Sequence, residues 1–170
     1  MLNNNVCSLL NDQINKEFYS EYFYLDISIF YEKQGLSGFA NWFRIQAEEE
    51  RAHALLFISY IQQNGGDILL ASIDSPNRKY AEFIDPLIAT LEHEKYVTNL
   101  INSIYDSAYN IKDFRTMQFL DWFVKEQGEE EKVCEDLIKK YTLFGSDAKG
   151  LYSIDAELGK RVYVKPSLVV

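Results

Sequence analysis

Scarcity of chain-breaking residues constrains this sequence most: eight Gly and three Pro in 170 residues leave long stretches with nothing to interrupt them. A many-stranded β fold needs turn signals every few residues, so the pattern predicts long helices instead. Four long segments follow. The first runs from about Asn4 to Glu32 and ends near Gly35, and the second starts near Ser37-Gly38 and runs to about Asn64, where Gly65-Gly66 stops it. The third covers roughly Phe83 to Asn110, with Pro86 tolerated in its first turn. The fourth runs from about Phe114 to Phe144 and ends at Gly145, and a shorter fifth helix is expected around Gly150 to Leu158. Residues 1–159 read as one domain and 160–170 as a C-terminal tail to which no structure is assigned.

Connection lengths choose the topology. Linkers of a few residues, at Gly35 and near Lys112, force the helices they join to run antiparallel. The stretch Asp67 to Glu82, with Ser75-Pro76-Asn77, is different. A helix of ~26 residues is ~39 Å long, and ~16 extended residues reach ~50 Å, so this connection can cross the whole length of a bundle. Helices two and three can then be parallel, which gives an all-α four-helix bundle with one long crossover at residues 67–82 and a short fifth helix.

Composition bounds the function. Hydrophobic residues make up 47% of the chain, enough for a core, while 26 Asp and Glu against 17 Lys and Arg give a formal net charge of −9. Such a surface repels nucleic acid and anionic membranes, so neither is expected as a partner. No stretch approaches a membrane span and residues 1–12 lack the plan of a signal peptide, so a cytoplasmic location is expected. The two cysteines, Cys7 and Cys134, are far apart and outside any CxxC pair, which excludes a disulfide framework and a zinc ribbon.

The informative anomaly is where the acids fall. Each long segment carries an apolar stripe at helical spacing, and each stripe is interrupted by polar residues. Val6, Leu10 and Tyr24 share a face with Glu17; Phe39, Phe43, Ala54, Phe57 and Ile61 share one with Glu50, and His53 lies a turn away. Phe83, Leu87, Ile101 and Tyr105 flank Glu94, and Leu120, Cys134 and Ile138 flank Gln127, with Glu130 a turn later. At 100° per residue all of these point towards the bundle interior.

A buried, isolated carboxylate costs several kcal/mol, so four of them must be protonated, paired with cations or bound to metal. The stripes offer no inward Lys or Arg and one His. Two divalent ions would balance four carboxylates, leaving His53 and Gln127 as neutral ligands or supports. The spacing is independent support, because Glu17 to Glu94, Glu49 to Glu126, Glu50 to Gln127 and His53 to Glu130 are all separated by 77 residues. Within each half, Glu17 to Glu50 and Glu94 to Gln127 are both separated by 33. Two helical hairpins related by an approximate two-fold would each supply one acid from their first helix and an i, i+3 pair from their second. Oxygen ligands with a single imidazole suit iron or manganese and disfavour a thiolate zinc site, and iron is the expected metal.

At these residues the chain resembles the bacterial non-haem ferritins over nearly its whole length, about Leu2 to Leu158. The resemblance is carried by Asn15-Lys16-Glu17-Phe18-Tyr19-Ser20, by Glu48-Glu49-Glu50-Arg51-Ala52-His53, by Glu92-His93-Glu94, and by the run from Phe119 to Glu131 that holds Gln127 and Glu130. It implies a ferritin-like bundle in which Glu17, Glu50 and His53 hold a first iron, with Glu50 bridging, while Glu94, Glu130 and Gln127 serve the second. Tyr24 matches a family tyrosine beside the site, as a hydrogen-bond partner and electron donor, although a plain core aromatic would read the same way. Glu49, Glu126 and Glu129 match a third iron position on the cavity side, where an ordinary wet acidic surface is the alternative.

The resemblance implies a ferroxidase that oxidises Fe(II) with dioxygen or peroxide and deposits ferric oxyhydroxide inside a homo-oligomeric shell of 24 subunits. Departures narrow the subfamily. Haem-binding bacterioferritins place a methionine ligand where this chain has Arg51, and their second Glu-x-x-His is here Gln127-x-x-Glu130, so no haem is expected. The CxxC domain of rubrerythrins is absent, and miniferritins build their site from a different motif. The acidic three-fold channel positions of animal ferritins fall at Met117 and Leu120, which implies another way in for iron, along the bundle near the site.

Overall fold

The first helix starts where a side chain replaces a missing backbone partner. Asn3 Oδ1 accepts the N–H groups of Asn5 and Val6 at 2.9 and 3.4 Å and opens α1, Asn4–Lys33, in the computed structural model, which describes residues 2–170. Gly35 takes φ +76°, a left-handed conformation available without a Cβ, and turns the chain into α2, Ser37–Gln63. Asp113 caps α4, Phe114–Phe144, by accepting the N–H of Thr116 at 3.1 Å, and Asp147 caps α5, Ala148–Leu158, through Gly150 N–H at 2.9 Å. The fifth helix therefore opens two residues before the Gly150 read as its start. The third, α3, is Asp85–Asn110 and opens two residues later than Phe83. Asp85 Oδ2 accepts the N–H groups of Ala81 and Glu82, both at 2.8 Å, and this turn holds Phe83 outside the helix while Pro86 occupies its first turn.

Cross-contacts fix the directions. Asn5 meets Ser107, Ser20 meets His93 and Tyr31 meets Phe83, so α1 and α3 are antiparallel. His53 packs on Trp122, Phe57 on Phe119 and Tyr60 on Thr116, so α2 and α4 are antiparallel as well. The long connection follows α1 from one end of the bundle to the other: Asn11 Nδ2 donates to Asp67 O at 3.0 Å, Asn15 Nδ2 to Ser72 O at 2.9 Å, Arg78 lies over the Phe23 ring and Tyr80 packs edge-on against Phe30. It crosses the bundle as its length predicted, and no strand occurs among the described residues.

The core is two apolar clusters. One gathers Tyr31, Phe39, Phe43, Leu87 and Leu137 with Ile154 and Leu158 of α5, and the other gathers Val6, Leu10, Phe57, Ile61, Ile101 and Phe123. Along every long helix the polar interior residues fall between them: Glu17 after Ile14 and before Phe23, Glu50 and His53 between Ala47 and Phe57, Glu94 between Ala89 and Val97, and Gln127 and Glu130 between Phe123 and Leu137. The apolar clusters thus grip a polar layer from both ends, shut away from water by two packed cores.

Candidate metal centre

Glu17, Glu50, His53, Glu94, Gln127 and Glu130 are each at most 7% exposed, so the stripe register placed all six correctly inside the bundle. Donor atoms of Glu17, Glu50 and His53 lie within 4.8 Å of one another, a group able to hold a metal ion. His53 Nδ1 lies 3.6 Å from Glu50 Oε2. Gln13 Nε2 donates to Glu17 Oε1 at 2.8 Å from one turn earlier in α1, while Glu17 Oε2 is buried with no hydrogen-bond partner. A carboxylate oxygen without a donor in a dry interior is costly unless a cation or proton meets it.

Opposite, the Tyr24 hydroxyl donates to Glu94 Oε1, and Gln127 Nε2 donates to Glu94 Oε2 at 3.0 Å. Both oxygens of Glu94 are thereby oriented. Gln127 presents its amino end to this carboxylate, so in this geometry it supports Glu94 and leaves its carbonyl oxygen as its one remaining ligand atom.

Burial dominates the electrostatics. It raises the Glu17 carboxyl to about 8, with the charge of Glu50 adding to the effect, and raises Glu130 to about 8, with Glu94 adding. Burial likewise pushes Glu50 well above the carboxylate range, and Glu94 and Glu130 push it further. Burial raises Glu94 too, and the hydrogen bonds from Tyr24 and Gln127 oppose it. Acids that repel one another in a dry layer are driven towards their protonated forms when no cation is present, and divalent ions would displace the protons they hold. Hard oxygen donors with one imidazole fit iron or manganese.

The three glutamates matched to a third iron position are arranged otherwise. Glu49 Oε2 accepts from Arg161 Nη2 at 2.5 Å, and Glu129 Oε1 lies 3.2 Å from Lys125 Nζ. Glu126 stands beside both electrostatically, yet the three carboxylates do not converge into a ligand group.

Sequence reasoning missed three sets of residues. It counted one inward histidine, whereas His93 is also buried: Ser20 Oγ lies 2.7 Å from its Nε2, and burial lowers its pKa to about 4, which leaves it neutral. Gln13 and Gln46 each stand four residues before an acid, and Gln46 Nε2 donates to Glu50 Oε1 at 3.3 Å. A glutamine one helical turn before each of these two acids was the available signal. Arg161 comes from the tail, where no periodicity could announce it.

The ferritin-like domain family profile matches residues 7–144. The chain is 38% identical over 159 residues to a probable bacterial non-heme ferritin-like protein of Haemophilus influenzae, covering 94% of this chain and 96% of that one. It is 33% identical over 163 residues to the bacterial non-heme ferritin of Staphylococcus aureus, covering 96% and 98%. Among solved structures, an engineered closed form of the Archaeoglobus fulgidus ferritin superposes with a TM-score of 0.94 at 35% identity, covering 96% of this chain and all of the other. The open-pore ferritin of the same archaeon superposes with a TM-score of 0.93 at 35% identity over 95% of this chain.

Proposed function

Since the chain belongs to the ferritin-like domain family, we propose that it is an iron-storage ferritin whose polar layer is a ferroxidase centre for two ferrous ions. The observation that carries this reading is the buried Glu17–Glu50–His53 group, with its unpartnered Glu17 oxygen, facing two further buried carboxylates in the same layer.

Iron is the substrate. Glu17, Glu50 and His53 receive the first ferrous ion, Glu94 and Glu130 the second, and Glu50 bridges them. Gln127 and Tyr24 hold Glu94 in place. Protons held by the metal-free acids leave as the ions arrive, and the ionised carboxylates balance the charge of the ions. Each ferrous ion then gives up one electron, dioxygen takes both and leaves as hydrogen peroxide, and water supplies the oxide and hydroxide of the ferric product with release of protons. Peroxide can serve as the oxidant in its turn. Carboxylate oxygens favour this direction because hard anionic donors stabilise Fe(III) over Fe(II).

The product is deposited as ferric oxyhydroxide within a cytoplasmic shell of 24 copies of the chain, with no haem. A third iron can pass by Glu49, Glu126 and Glu129 only if the Arg161 guanidinium gives way at Glu49. Among the described residues no helix is long and apolar enough to cross a membrane.

The test is aerobic addition of excess Fe(II) to the metal-free protein, following ferric absorbance and then sizing the iron-bearing particle. Fast oxidation with many irons per chain in a large assembly is the expected result. Oxidation that stops near two irons per chain in a small oligomer removes storage, and oxidation no faster than in buffer removes the ferroxidase.

A further inference from the structure

The tail after α5 forms no helix, yet one of its side chains is anchored beside the metal centre. The Arg161 guanidinium lies 4.4 Å from the centroid of the Trp42 ring. Nη1 donates to the Trp42 carbonyl at 3.3 Å and to Gln46 Oε1 at 2.8 Å, and Nη2 donates to Glu49 Oε2 at 2.5 Å. Asn41 Nδ2 fastens the Arg161 carbonyl at 3.1 Å. A planar fork stacked on an indole and donating to three acceptors is fixed in orientation as a flexible ammonium would not be.

Gln46 carries that constraint inward. It is buried, and its Nε2 donates to Glu50 Oε1 at 3.3 Å. A carboxamide has one accepting and one donating end, whereas a guanidinium only donates. With Arg161 on its oxygen, Gln46 must turn its amino end to Glu50. Turned the other way, it would set an oxygen lone pair against the carboxylate it now supports.

We propose that Arg161 is a positioning residue of the metal centre, fixing the amide of Gln46 and through it the carboxylate of Glu50. The proposal rests on the reading of the buried cluster as a metal site. It gives the tail a part in the centre that the four long helices otherwise build.

Cobalt(II) alone is the probe, titrated into the metal-free full-length protein and followed by its visible d–d absorption. Wild type is expected to bind cobalt with a spectrum that Glu50→Ala removes. Arg161→Ala should weaken binding by roughly 10-fold and alter the band pattern. In a Gln46→Leu background the same substitution should change nothing further, because the path to Glu50 is already cut. Wild-type affinity and spectrum in Arg161→Ala overturn the proposal, as does an undiminished additional loss in the Gln46→Leu background. Should Arg161→Ala fail to fold, Gln46→Leu alone, which keeps the Arg161–Glu49 pair, must reproduce the altered spectrum, and an unaltered one overturns the proposal. Failure of the metal reading looks different: wild type itself then shows no cobalt spectrum that depends on Glu50.

Discussion

Tyr24 reaches from α1 to donate its phenolic hydrogen to Glu94 Oε1 on α3, a bond between residues 70 apart in sequence that closes one side of the polar layer. The phenol is wholly buried, so no water can replace it as donor. Tyr24→Phe keeps the ring and its packing on Phe23 and Phe43 but leaves a buried carboxylate oxygen without that hydrogen bond. A loss of about 1–3 kcal/mol is expected in the metal-free protein, read by thermal or urea unfolding. Unchanged stability would make Tyr24 a plain core aromatic.

Removing two of the proposed ligands would separate the proposed oxidation from folding. On the proposed function, Glu50→Ala with His53→Ala takes away the bridging carboxylate and the only imidazole of the group, and iron oxidation should fall by roughly 10-fold or more. The fold should persist, because the apolar clusters on either side are untouched. Stopped-flow absorbance after mixing with Fe(II) in air measures it, and wild-type rates in this variant would rule out the assigned centre.

The raised carboxyl groups make stability depend on pH with a definite sign. In the folded metal-free chain Glu17 and Glu130 keep their protons up to about 8, whereas the ordinary value for a glutamate is 4.5. Between those values the folded state binds more protons than the unfolded one, so metal-free stability should fall as pH rises through that window. A bound divalent ion replaces the protons, and its stabilising effect should grow over the same range. Melting temperatures from about pH 5 to 8, with and without Zn(II), give both slopes. A metal-free melting temperature that climbs across this range would contradict the assigned protonation.

Gly38 is held to its identity by α5. A Cβ there would lie 1.7 Å from the Asp155 carbonyl oxygen, and Asp155 Oδ1 accepts the N–H of Phe39 at 2.9 Å, capping α2, whose own N-cap Leu36 contributes no side-chain bond. Gly38→Ala should therefore push α5 off the bundle and cost about 1–3 kcal/mol. Hydrogen exchange should show faster exchange in α5 and the first turn of α2, with the centre of α1 unaffected.

The sequence disclosed the bundle more fully than the details of its centre, for physical reasons that particular residues illustrate. Crossover direction followed from chain length, and the inward acids followed because Glu17, Glu50, Glu94 and Glu130 break an apolar periodicity. Gln13 and Gln46 are neutral, so they raise no charge anomaly and pass for surface residues of their helices. His93 sits one position before Glu94, 100° around α3, and its burial depends on Ser20 and on the rings of Phe23 and Tyr24. Arg161 lies beyond the last helix, where neither a 3.6-residue period nor a cap predicts a partner.

The halves of the bundle follow one plan with one exchange: Glu50 and His53 stand where the other half has Gln127 and Glu130. Each half still brings two carboxylates, Glu17 with Glu50 and Glu94 with Glu130. On the proposed function, a ferrous ion is neutralised in either seat, and the same ion once oxidised is one positive charge in surplus. That surplus can be cancelled only by hydroxide or oxide drawn from water, so the balance that welcomes the reduced ion also begins hydrolysis of the oxidised one and turns the centre from a container into a point of passage.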